Sequence, residues 1–240
     1  MAVAQNGEMS AAGSVLFLTV LGTVSQVLGF GYRVALSRMV GAEVMGLYQL
    51  LMPVYSVLLS LTAVGLTAAV SNLIPQHLAL HNSQGARQTL LTCLRMFFLL
   101  LLPLGAAVIG ASDFISVRFL GDARTQLGLM LLIPCTALTG VENMHKHFFY
   151  GSGLVKPPAV VELLEQLIRT AAVLGLLVLF LPQYPERVVG LIVCGMVICE
   201  VFSSCALTLL HRRWRRGMDG PLGAGEASGR LNHRIARIAL

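Results

Sequence analysis

The chain has 240 residues, of which 56% are hydrophobic and only 12% charged, where a soluble globular domain carries roughly 25% Asp, Glu, Lys and Arg. With a mean hydropathy of +0.78, there is too little polar surface for an ordinary soluble enzyme, and an all-α integral membrane protein is expected. The net charge is +6, but four of the arginines sit in the run His211-Arg212-Arg213-Trp214-Arg215-Arg216 directly after an apolar stretch, which reads as a cytoplasmic membrane flank; no nucleic-acid partner is expected.

Crossing roughly 30 Å of hydrocarbon takes about 20 mostly apolar residues in helix. Residues 1–11 contain Glu8 and no Lys or Arg, the wrong n-region for a cleaved signal peptide, and are read as a cytoplasmic tail. Six apolar segments follow, near 12–32, 46–74, 89–111, 127–150, 158–182 and 187–210. The second carries Pro53, which predicts a bend. Polar connections are expected at Pro75 to Thr89, at Ala111 to Thr125 and at Gln183 to Glu186. Between the fourth and fifth segments, Gly151 and Gly153 end one helix and Pro157-Pro158 open the next. Cys93, Cys135, Cys194, Cys199 and Cys205 lie in apolar stretches without metal-binding spacing, and read as unpaired thiols.

The inside flanks collect most of the Lys and Arg when the N-terminus is cytoplasmic. Residues 12–210 therefore form a six-helix transmembrane lobe, and 211–229 a basic, then Gly-rich, cytoplasmic loop. In 230–240, Arg230, Arg234 and Arg237 share one helical face, the start of an amphipathic or seventh membrane helix. The chain is expected to be part of something longer.

Ionisable residues inside spanning helices cost roughly 2.5–3.5 kcal/mol each on insertion scales, so they face partners or wet cavities. In the fifth segment Glu162, Glu165 and Arg169 share one face, either as an intrahelical ion pair that makes the helix insertable or as a polar cavity wall. In the fourth, Glu142 and Lys146 are i, i+4. His145 and His147, at i, i+2, point to different sides, and no metal site is expected. Phe148, Phe149 and Tyr150 are read as an interfacial aromatic belt. Glu200, with no cation within a turn, needs a partner on another helix or a proton, and is the candidate ion-coupling residue. The first segment contributes Ser25, Gln26, Tyr32 and Arg33. No catalytic constellation is present and no cofactor is expected.

Two stretches carry a resemblance. One is Ser25-Gln26-Val27-Leu28-Gly29-Phe30-Gly31-Tyr32-Arg33 with Ser37-Arg38-Met39-Val40-Gly41-Ala42-Glu43 and Gly46-Leu47-Tyr48-Gln49. The other is His145-Lys146-His147-Phe148-Phe149-Tyr150-Gly151 running into Lys156-Pro157-Pro158-Ala159-Val160-Val161-Glu162 and Glu165-Gln166-Leu167-Ile168-Arg169. Together they resemble stage V sporulation protein B-like members of the multidrug/oligosaccharidyl-lipid/polysaccharide exporter superfamily. The resemblance implies a MATE-like fold of two six-helix lobes, of which this is the N-terminal one. It further implies alternating-access flipping of lipid-linked oligosaccharide or polysaccharide precursors for cell envelope or spore cortex in a bacterial inner membrane.

Gln26 and Tyr32 stand where lipid II flippases commonly have arginine, which leaves Arg33 and Arg169 as anion contacts. The expected substrate-binding set is Gln26, Arg33, Glu142, Lys146, Glu162, Glu165 and Arg169. Expected partners are a lipid-linked sugar, membrane lipids, and a C-terminal lobe or second copy. Two other readings stand beside this one: a proton- or sodium-coupled exporter of drugs or organic cations, and a non-transporting scaffold lobe.

Overall fold

Within hydrocarbon each backbone N–H and C=O has to be satisfied inside its own segment, so apolar runs of this length fold as helices. A computed structural model of the chain describes residues 11–216 and Ile235, and all regular structure among them is helical. Helix α1 (Ala11–Leu59) passes through a π-helical turn (Ser60–Val64) into α2 (Gly65–Ala79). After a short turn come α3 (Ser83–Gly110), the small α4 (Ser112–Phe114), α5 (Gln126–Gly151), α6 (Lys156–Phe180) and α7 (Val188–Arg216). Among the described residues five helices are long and apolar enough to cross a membrane, the first being Leu16–Ala79 at 64 residues. Large apolar side chains such as Phe30, Leu99, Leu102, Val178 and Leu179 point outward, a surface that suits lipid and not water. The chain is an all-α integral membrane protein.

The first helix is far longer than one crossing and turns at Gly41, whose φ of 77° and ψ of 174° are open to glycine and closed to residues with a Cβ. The break expected across residues 33–45 is therefore a single hinge, with helix on both sides. Just beyond it Glu43 is held by Arg124 at 2.6 Å, and Arg124 is held by Asp122 at 2.8 Å. Asp122 also accepts the Arg124 backbone N–H at 2.8 Å. Hydrogen bonding by Arg124 keeps the Asp122 carboxyl below its usual range.

The connections are shorter than expected, because polar residues outside the hydrocarbon continue the helices. Asn82 caps α3 by accepting the Gly85 N–H at 2.7 Å, leaving only Leu80–Asn82 between α2 and α3. α5 ends at Gly151 and α6 opens on Lys156-Pro157-Pro158, as the glycine and proline signals predict. The basic run after residue 210 is helical through Arg216 and belongs to α7. The tail at 1–10 and the segments 217–234 and 236–240 lie outside the described residues. Ile235 is buried in the cluster that includes Leu73, Ile74 and Phe148, with Trp214 packed against it.

α5 and α7 form the central pair, with α2 and α3 against α5, and α6 against both α7 and α1. Phe148 and Phe149 are core residues at 1% exposure, against the expected interfacial belt, while Tyr150 alone of the three is exposed. Their rings meet α7 and α2 neighbours, so helix packing outweighs a headgroup position. α6 and α7 approach closely at Gly195: a Cβ there would stand 2.9 Å from the Val173 Cα. Small residues permit such contacts where lipid offers no hydrophobic drive for association. The close approach lies one turn from Arg169 on α6 and one turn from Cys199 on α7, and so sets the spacing of the polar site.

Candidate functional site

Helical spacing of four residues makes two ion pairs within single helices. On α5, Lys146 Nζ lies 2.5 Å from Glu142; on α6, Arg169 pairs with Glu165. Between helices, Lys146 reaches Glu165 at 3.5 Å and Arg169 reaches Glu200 of α7 at 3.2 Å. The result is one continuous chain, Glu142–Lys146–Glu165–Arg169–Glu200, joining three helices. Its three carboxyl side chains are at most 9% exposed, while Lys146 and Arg169 are 15% and 25% exposed. Charges buried this far from water persist only when paired and hydrogen-bonded. The lone acid Glu200 thus has a partner on another helix, one of the two arrangements its sequence context allows.

Two side chains that composition marked only as apolar or neutral complete the network. Arg169 Nε donates to Cys199 Sγ at 3.3 Å, and Ser203 Oγ donates to Glu165 Oε2 at 3.3 Å. Cys199 and Ser203 flank Glu200 on α7 at i−1 and i+3, and it is the packing of α7 on α6 that gives them these partners. Glu165, Cys199 and Glu200 bring their ligating atoms within 4.8 Å of one another. All three contact Arg169, so the positive group they surround is a guanidinium.

The exposed flank of this network opens into a cleft of about 390 Å³ between α1, α5, α6 and α7. Lys146, Glu162, Glu165 and Arg169 line it together with Gln26 and Arg33. Six of the seven expected substrate residues therefore meet in one place, and Glu142 stands behind Lys146. Ser25, a polar position of the first segment, lines the cleft as well, as do Tyr48, Gln166 and Met196, whose own sequence signals are weak. Tyr48 Oη donates to Met196 Sδ at 3.5 Å. Lys146 and Arg169 are engaged by carboxylates; Arg33 is the cleft-lining cation without a carboxylate partner among the described residues.

The two histidines of α5 separate as their spacing predicts. His145 Nδ1 bonds the Val141 carbonyl at 2.8 Å, and His147 Nδ1 meets Ser71 Oγ at 2.7 Å. Each is held by a different neighbour.

The family described as polysaccharide biosynthesis protein matches residues 11–223. Stage V sporulation protein B of Bacillus subtilis (strain 168) is 28% identical over 167 residues, covering 70% of this chain and 32% of that protein. Lipid II flippase MurJ of the same organism is 25% identical over 218 residues, covering 83% of this chain and 38% of that protein. The chain thus spans about a third of the length of the curated relatives it matches. No solved structure matches it.

Proposed function

We propose that this chain, which belongs to the polysaccharide biosynthesis protein family, forms one lobe of a flippase for lipid-linked oligosaccharide or polysaccharide precursors. The observation that carries the reading is the three-helix charge network bordering a polar cleft at the depth of the apolar helices. A merely structural helix would gain more from apolar side chains at these positions. A sugar head group, with many hydroxyls and an anionic phosphate link, finds in the cleft both acceptors (Glu162, Glu165) and donors (Gln26, Gln166, Arg33). Arg33 is the residue left to meet the phosphate.

In this reading the two arms about Gly41 each cross the membrane, giving six crossings, and the lobe works with a second lobe or a second copy by alternating access. Six Lys and Arg among the described residues (Arg87, Lys156, Arg212, Arg213, Arg215 and Arg216) belong to the end where α1 starts, against four at the other end (Arg38, Arg118, Arg124 and Arg187). The positive-inside rule then puts the basic end, and the start of α1, in the cytoplasm of a bacterial cell membrane.

Reconstitution of the full-length gene product with a fluorescent lipid-linked oligosaccharide tests this. Accessibility of the label on the opposite leaflet is expected to rise with the wild-type protein and to fall at least tenfold with R169Q at equal membrane yield. No translocation by the wild-type protein overturns the reading. Loss of yield in step with loss of transport assigns the network to helix insertion alone.

A second reading concerns coupling. The network holds three carboxylates and two cations, one positive charge short, which favours uptake of a proton or monovalent cation beside Glu200. Transport by E200Q that keeps the wild-type dependence on pH and sodium removes Glu200 from that role.

A further inference from the structure

On the side of α6 turned away from the cleft lies a second concavity of about 620 Å³, between α6 and α7. At 100° per residue, its α6 positions (Lys156, Pro157, Val160, Val161, Leu164) centre roughly opposite Glu162, Glu165 and Arg169. Val160, Leu164, Phe202 and Leu209 form its walls and remain exposed to the surroundings of the bundle. Lys156 and Arg213 close one end, one from the first residue of α6 and the other from the last turns of α7. Neither makes an ion pair among the described residues, and no acid lines the groove.

An apolar trough is unremarkable on a lipid-facing surface, but this one ends in two uncompensated cations. From Lys156 to Leu164 the helix rises about 12 Å, so the apolar part runs well into the hydrocarbon beneath the charged end. Charge and shape together specify an amphipathic occupant: a monoanionic or dianionic head between Lys156 and Arg213, with a hydrocarbon chain lying along Leu164 and Phe202. Pro157 and Pro158 offer no backbone N–H at the start of α6, which leaves the head group to these two side chains. Basic pockets between transmembrane helices are known to hold anionic lipid heads.

We infer that this groove is a binding site for an anionic glycerophospholipid of the surrounding bilayer, held by Lys156 and Arg213 and separate from the cleft. The inference rests on the membrane embedding of the helices and not on the flippase reading, so it stands or falls by itself.

The test uses the purified full-length gene product, delipidated in a neutral detergent and titrated with phosphatidylglycerol or phosphatidylcholine. Bound lipid is counted by native mass spectrometry. Wild-type protein is expected to retain phosphatidylglycerol at least fivefold better than phosphatidylcholine, and K156Q/R213Q to lose that preference. A206W, which fills the groove without touching the charges, should lose retention of both lipids. R87Q/R212Q removes the same charge from the same end outside the groove and should behave as wild type. Equal loss in R87Q/R212Q would mean a diffuse basic surface and overturn the site. So would a wild-type protein with no lipid preference, the result expected if another part of the gene product covers the groove. Displacement of the lipid by millimolar inorganic phosphate, or tighter competing retention of a polyprenyl diphosphate, would likewise overturn it, the first in favour of a bare phosphate site and the second in favour of a substrate site.

Discussion

Replacing Arg169 by Gln removes the one cation shared by Glu165 and Glu200 and changes the network from one excess negative charge to two. It also deletes the bond to Cys199 at 3.3 Å. Breaking a buried pair by removing one partner costs about 3–5 kcal/mol. Arg169 is 25% exposed toward the cleft, so water reaches part of the vacated space, and a loss at or just below the lower limit of that range, about 2–3 kcal/mol, is expected. Removing the stranded charge should return much of the loss: E200Q in the R169Q background is expected to recover about 1–2 kcal/mol, a non-additivity typical of residues in direct contact. Unfolding in mixed detergent micelles, followed by tryptophan fluorescence and circular dichroism, measures the four states of the cycle. Stabilities of R169Q and wild type that agree within about 0.5 kcal/mol, or strictly additive single effects, would refute the argument that these charges are coupled.

Three further perturbations follow from other parts of the structure. G195A places a Cβ 2.9 Å from the backbone of Val173, where no side chain can swing aside, and is expected to destabilise by about 1–3 kcal/mol; G175A on α6, whose Cβ meets open space, is the control, and equal melting temperatures for the two would contradict the close packing of α6 on α7. Glu162 lines the cleft but is exposed and absent from the ion pairs, so E162Q should leave stability within about 0.5 kcal/mol of wild type while weakening transport; a large loss of stability would place it in the network. At the opposite end, Asp122 is held below its usual range by Arg124. A depressed carboxyl contributes stability above the unfolded-state value, and that contribution fades as pH falls through the folded-state value. Wild type should therefore lose its small advantage over D122N below about pH 4, and an advantage that grows on acidification would contradict the assignment.

Much of this was written in residue spacing. Apolar runs name the helices because hydrocarbon admits few other folds, and the i, i+4 pairs Glu142/Lys146 and Glu165/Arg169 announce polar faces before any packing is known. What joins those faces is tertiary. Nothing local says that Lys146 of α5 will find Glu165, or that Glu200 will find Arg169. The same gap hides Cys199 and Ser203, whose roles depend on which face of α7 meets α6. Gly41 was legible as a residue of the connection between two segments, but not as its only break, since polar residues such as Arg33 and Arg38 are as compatible with helix as with loop. Phe148 and Phe149 were misassigned for a related reason: aromatic residues near a helix end suit either a headgroup belt or a core, and their contacts with neighbouring helices decide in favour of the core.

The central claim is that the cleft between α1, α5, α6 and α7 receives the head group of a lipid-linked precursor. Its most direct test is photo-crosslinking in membranes containing a labelled lipid-linked oligosaccharide, with a benzophenone amino acid placed at Gln26, at Gln166 or at the outward-facing Leu99 of the full-length gene product. The account predicts labelling from positions 26 and 166, reduced by excess unlabelled precursor, and none above background from position 99. Equal labelling from all three positions, or labelling from 99 alone, would contradict it.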